Sequence, residues 1–93
     1  MKDSWKKENS LIIEDLQSIV NDSVIPWSSF NGKSVLITGA TGLLGSLAVK
    51  TLLYCADVYK LDLYVGAFVR NQKKASAVFG NLLKDHANLT FEV

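Results

Sequence analysis

One cysteine, one histidine and one proline are all that 93 residues contain of each. A lone cysteine, Cys55, excludes an internal disulfide framework and points to a reducing compartment. The lone histidine, His86, has no cysteine or acid cluster near it at metal-ligand spacing, so no metal site is expected. It reads as a loop residue beside a surface acid, Asp85. No apolar run approaches the length that spans a bilayer. Lys2, Lys6 and Lys7 precede the first apolar run, but Leu11-Ile12-Ile13 is followed at once by Glu14 and Asp15, which does not suit a signal peptide. Charge of one sign is lacking too. Ten basic and nine acidic residues leave a net charge of +1, which makes no case for nucleic acid or an acidic surface as partner. There is no internal repeat and no low-complexity run. These absences lead to the expectation of a cytoplasmic protein.

What is present is apolar. Hydrophobic residues make up 48% and charged residues 20%, a globular balance. The length suits one small domain and is too short for a doubly wound sheet of about six strands.

The chain is organised around Ser34-Val35-Leu36-Ile37-Thr38-Gly39-Ala40-Thr41-Gly42-Leu43-Leu44-Gly45. Val35 to Thr38 read as a short buried strand. A glycine-rich turn follows, then an apolar helix to about Cys55. Strand, glycine turn and helix in immediate succession suit a nucleotide phosphate. Gly39 can adopt backbone angles that a side chain forbids. Gly42 has no side chain to keep a diphosphate from the backbone. Gly45 lets the first helical turn lie close against the strand. The free N–H groups of that turn, at Leu43 and Leu44, point at an anion favoured by the helix dipole. No Gly-Lys-Ser/Thr follows the glycines, which speaks against an NTPase.

Before this stretch, Met1 to Glu8 is polar and is expected to fray, with Trp5 packed or exposed. Asn9 and Ser10 are candidate caps for a helix to about Asn21. Its apolar stripe is Ile12, Leu16, Ile19 and Val20, widened by Ile13. Pro26 ends any helix before it and biases Ile25 to an extended form. Trp27 and Phe30 are apolar anchors in the linker, and Asn31-Gly32 is a turn signal. After the glycines, the helix is expected to turn Leu43, Leu44, Leu47, Ala48, Leu52 and Leu53 inward. Asp57 to Asp62 reads as a polar connector. Leu63 to Val69 is nearly all apolar, a strand buried on both faces, and Gly66 within it suggests a close neighbour. A further helix runs from about Gln72 to Leu83, with Ala75, Val78, Phe79 and Leu82 inward. Leu89 to Val93 reads as a third strand.

The predicted fold class is therefore α/β: an amphipathic helix, then β-α-β-α-β, the N-terminal part of a Rossmann-type doubly wound sheet with parallel strands in the order 3-2-1. Residues 1–29 form a helix and linker, and 30–93 a partial dinucleotide-binding domain. Both crossover helices fall on one face, so the other face needs cover. The first helix, or a second copy of the chain, is expected to supply it.

Arg70 lies just past the second strand, where such a domain meets the adenosine ribose. An acid there suits NAD, whereas arginine suits a 2′-phosphate. Asn71 stands beside it. Lys73 and Lys74 follow in the first turn of the next helix, where cations oppose the dipole and a bound phosphate accounts for them.

The glycine spacing, G-x-x-G-x-x-G, resembles that of the short-chain dehydrogenase/reductase superfamily. T-G-A-T-G-L-L-G is most similar to its extended and atypical branches, the epimerase/dehydratase group that acts on nucleotide sugars. F-N-G-K before the first strand and V-R-N-x-x-K-A after the second resemble the same branches. The resemblance covers about Phe30 to Val93. It implies an NAD or NADP cofactor, with NADP favoured by Arg70, held by Gly39, Thr41, Gly42, Leu43, Leu44, Gly45, Arg70 and Asn71. It also implies a catalytic Tyr-x-x-x-Lys. None is here, because Tyr54, Tyr59 and Tyr64 are followed four residues on by Val58, Leu63 and Phe68. Catalytic and sugar-binding residues are expected beyond Val93, and the chain alone is expected to be inactive. Two other readings stand beside this one. One is a non-catalytic NADP-sensing module similar to the NmrA-like proteins, and the other is a folded fragment without a tight ligand.

Overall fold

The computed structural model describes residues 2–22 and 26–92. The expectations for Met1, Ile25 and Val93 lie outside them. Three helices and three strands alternate after a short 3-10 turn at Asp3–Lys7: α1 (Ser10–Val20), a second 3-10 turn (Trp27–Phe30), β1 (Ser34–Ile37), α2 (Leu43–Tyr59), β2 (Tyr64–Phe68), α3 (Gln72–Asp85) and β3 (Leu89–Glu92). The strands form one parallel sheet with β2 in the middle. Ser34 pairs with Tyr64 and Ile37 with Ala67, and on the other side Val65 pairs with Leu89 and Phe68 with Glu92. The chain is thus α/β, with the expected order of elements and of strands.

Alternation along the strands sorts the side chains onto two faces. Val35, Ile37, Val65, Ala67, Leu89 and Phe91 point to the helices and are buried or half-buried. They meet Val49, Leu52 and Leu53 of α2 and Ala75, Phe79 and Leu82 of α3 in one core. The opposite face carries Leu36, Tyr64 and Phe68, all exposed. This corrects the reading of β2 as buried on both faces. Its apolar run is continuous, but only one side is covered by the described residues. Gly66 does have a close neighbour, since a Cβ there would stand 3.3 Å from Leu36 Cδ1.

Helix α1 does not cover that face. It packs on α2, with Leu16 and Val20 buried and Ile12, Ile13 and Ile19 half-buried against the core. Its start is capped by Asn9, whose Oδ1 accepts from the Leu11 N–H at 2.8 Å. Its end is tied down by Tyr59, whose Oη donates to the Val20 carbonyl at 2.7 Å. That bond also explains why α2 outruns its expected end at Cys55. Asp57 and Tyr59 are helical because both find tertiary partners, and the helix stops only at Lys60, which is left-handed at φ 54°. Trp27 is buried, with Phe30 beside it at 6.0 Å between ring centroids.

Residues 2–8 are not frayed. Ser4 and Trp5 are buried, and the turn lies against α3. Trp5 meets Tyr54 edge-on at 5.1 Å. A polar stretch becomes ordered here because one large apolar side chain, Trp5, and two charged ones, Lys2 and Glu8, each meet a partner on the body.

Helix α2 departs from its expected face at the start. Leu43 is 88% and Leu44 80% exposed, while Leu53 is fully buried. Replacing Leu53 by Ala removes apolar contact and leaves a cavity, at a cost of about 2–5 kcal/mol. Leu44→Ala should change stability by no more than about 0.5 kcal/mol. Urea unfolding midpoints check both, and similar losses for the two variants would place Leu44 in the core.

Candidate functional site

The glycine turn occupies the edge of the sheet where β1 and β2 end. The parallel register pairs Ile37 with Ala67, so Gly39 and Arg70 both fall within three residues of the last shared pair. They lie along one edge.

Two of the three glycines are required by backbone geometry. Gly39 has φ 62°, a left-handed conformation that favours glycine. A Cβ on Gly45 would land on the Gly39 carbonyl oxygen and stand 2.7 Å from the Gly39 carbonyl carbon. Any side chain there forces the turn away from α2. Gly45 therefore packs the helix on its own turn rather than on the strand. Gly42 is extended, at φ −73°, and its missing Cβ faces Gly39 O at 3.3 Å. Gly42 N–H donates to Gly39 O at 3.0 Å, and Gly42 O accepts from Ser46 N–H at 2.9 Å. Ala40, which the sequence did not single out, is fully buried and roots the turn in the core. Thr41 is half-buried.

The start of α2 differs from those of α1 and α3. Asn9 caps α1, and Asn71 caps α3, its Oδ1 accepting from the N–H groups of Lys73 at 3.0 Å and Lys74 at 3.2 Å. Gly42 has no side chain to cap α2. The N–H groups of Leu43, Leu44 and Gly45 have no partner among the described residues. Exposed Leu43 and Leu44 leave this end open to solvent. An anion is the natural partner for such donors.

Arg70 is exposed immediately past β2, and Lys73 and Lys74 are exposed in the first turn of α3. Asn71 is committed to the cap through Oδ1, so Arg70 is the side chain at this edge best able to bind a phosphate. The eight expected site residues fall into two groups along one edge, the turn with Thr41 and the amides, and Arg70 with Asn71.

A second cluster was not foreseen. His86 is fully buried, not an open loop residue. Its Nδ1 lies 2.7 Å from the Leu82 carbonyl oxygen and its Nε2 2.7 Å from Asp57 Oδ2. Trp5 Nε1 donates to the same Oδ2 at 2.7 Å, and Lys2 Nζ stands 3.3 Å from Oδ1. Beside them, the Ser4 N–H donates to Asp85 Oδ2 at 2.8 Å. Glu8 pairs with Lys50 at 3.0 Å. Both ring nitrogens of His86 are engaged, so none is left to activate a nucleophile. The cluster holds structure. Its members come from three distant stretches, and only Trp5, apolar in a polar segment, hinted at it.

Burial pushes the Asp57 carboxyl up. The hydrogen bonds from His86 and Trp5, with the charges of His86 and Lys2, outweigh that and hold it below the ordinary value of 3.8. The backbone hydrogen bond from Ser4 holds Asp85 below it too. Burial pushes the Cys55 thiol up to about 11, which makes it a poor nucleophile at neutral pH. No group of three or more His, Cys, Asp or Glu among the described residues could hold a metal ion, and no described helix is long and apolar enough to cross a membrane.

No protein-family model matches the chain, and no curated protein or solved structure gives a significant match.

The two lowered carboxylates set an acid limit. Each contributes stability that is present above its unfolded value and lost as pH falls through its lower folded value. The N-terminal turn should therefore hold at pH 3.8 and let go below it. Trp5 emission, read in a Trp27→Phe background, should shift to longer wavelength in that acid range. In Asp57→Asn the shift should be much reduced. An acid shift unchanged in Asp57→Asn would assign it to other carboxylates.

Proposed function

We propose that this chain is the dinucleotide-binding β-α-β-α-β portion of a Rossmann-type domain, in a protein similar to the extended or atypical short-chain dehydrogenase/reductases of the epimerase/dehydratase group. One observation carries the reading. A left-handed Gly39 and a Gly45 with no room for a Cβ hold open an uncapped helix start, and Arg70 lies along the same sheet edge.

The residues fit an NAD(P) cofactor. The N–H groups of Leu43, Leu44 and Gly45 would take the diphosphate, with Gly42 leaving the backbone accessible. Arg70, flanked by Asn71, Lys73 and Lys74, would take a 2′-phosphate through paired, charge-assisted hydrogen bonds, which favours NADP over NAD. When bound, the nicotinamide supplies hydride transfer, in this family to and from a sugar carbon. This chain's part is to bind and orient. It has no Tyr-x-x-x-Lys to move a proton, so turnover and nucleotide-sugar binding belong to residues other than these. The same lack favours a second reading, a non-catalytic NADP-sensing module similar to the NmrA-like proteins. A Tyr-x-x-x-Lys elsewhere in the same protein separates the two.

Calorimetric titration with NADP and NAD tests the site. Gly42→Val should abolish binding of both, because its side chain crowds the Gly39 carbonyl and displaces the turn that presents the amides, and a thermal melt checks that the fold survives. Arg70→Ala should weaken NADP by about 1.5–3 kcal/mol, roughly one to two decades, and leave NAD nearly unchanged. Wild-type affinity in Gly42→Val would remove the diphosphate assignment. Equal weakening of both cofactors in Arg70→Ala would remove the 2′-phosphate assignment.

A further inference from the structure

We propose that the bare face of the sheet is a binding site for a small organic cation, an apolar or aromatic body carrying one ammonium, seated between Tyr64 and Phe68 with its charge against Glu92.

Strand alternation and register build the site. Leu36, Tyr64, Gly66, Phe68, Thr90 and Glu92 lie on the side of the sheet away from the helices. They line a hollow of about 510 Å³, a size that suits a small molecule. Gly66 is its floor. Where a Cβ would stand, Leu36 Cδ1 lies 3.3 Å away on the β1 side and Glu92 Cγ 3.8 Å away on the β3 side. Tyr64 and Phe68 flank Gly66 along β2, about 13 Å apart at 3.3 Å per residue. Both rings offer open surface, since Tyr64 is 53% and Phe68 42% exposed.

Charge decides the occupant. Among the described residues, Glu92 is the one charged side chain that lines the hollow, and its carboxylate has no ion-pair or hydrogen-bond partner there. Glu92 stands in register with Phe68, on a strand about 4.8 Å away. A cation drawn to the carboxylate is therefore also drawn to the aromatic ring beside it. A neutral apolar occupant would cover Glu92 and leave a desolvated charge without a partner, which is costly. An anion would meet it as a like charge. A second copy of the chain laid face to face brings another Glu92 and no cation among the lining residues. An apolar cation suits both halves of the surface. Its body covers Leu36, Tyr64 and Phe68, and its N–H groups donate to Glu92. The site stands whether or not the glycine turn holds a cofactor.

Amide spectra of the nitrogen-15-labelled chain at neutral pH test the site. The probe is 2-phenylethylammonium, with 2-phenylethanol and 3-phenylpropanoate as its neutral and anionic counterparts. The ammonium should shift the amides of Gly66, Phe68 and Glu92 saturably. It should bind about three- to tenfold more tightly than the alcohol, and the anion should bind weakest. Glu92→Gln, an exposed change of equal size, should bring the ammonium down to the affinity of the alcohol and leave the alcohol unchanged. The three probes on the unmodified chain decide the matter even if that variant fails to fold. Equal affinity for ammonium and alcohol, a preference that survives Glu92→Gln, or no shift at these amides overturns the proposal. So does a shift of the same amides on dilution of the chain alone, which would assign the face to a second copy.

Discussion

The contact of Gly45 with the Gly39 carbonyl is the constraint on which the arrangement depends. It brings the first turn of α2 onto the turn that leaves β1, closer than any side chain allows. The position of α2 then follows, and with it the floor against which β2 and α3 pack. The same closeness turns Leu43 and Leu44 outward instead of into the core. Two exposed leucines are the cost of aiming the backbone of that turn at solvent.

Asp57 has a comparable role at the other end of α2. A half-buried carboxylate needs donors, and it draws them from the start of the chain and from the end of α3. Asp57 lies fourteen positions past Leu43 along the helix, about 21 Å at 1.5 Å per residue. The polar cluster therefore supports the fold at a distance from the glycine turn. Its ring nitrogens are saturated, whereas the amides at the other end are not. Unmet donors are what a ligand site needs, and saturated ones are what a structural hub needs.

Local pattern was legible in the sequence. The Asn9 cap, the α1 stripe, the inward residues of α3 and the order of strands all come from spacing and capping chemistry, which act within a few residues. The positive φ of Gly39 was legible for the same reason. What was hidden depended on neighbours far along the chain. The apolar run of β2 does not reveal that one of its faces stays bare. Asp57 reads as a connector residue until His86 and Trp5 are placed against it. Trp5 itself sits in a segment whose polarity suggests fraying. Nor did the glycine spacing show that Gly45 abuts the turn rather than the strand.

The sheet edge with the glycine turn receives two helix starts, and they are finished differently. At α3, Asn71 closes the amides of Lys73 and Lys74. The two lysines then project positive charge from a helix end that is already positive, at a small cost in helix stability. At α2, nothing among the described residues closes the amides, and no cation lies in the first turn. One start thus offers backbone donors without side-chain charge, and the other offers charge without free donors. On the proposed reading, the diphosphate takes the first and the 2′-phosphate the second. A simple packing role for the glycines explains their angles and contacts. It does not explain why, among the described α-helices, the uncapped start lies along the same edge as Arg70, Lys73 and Lys74.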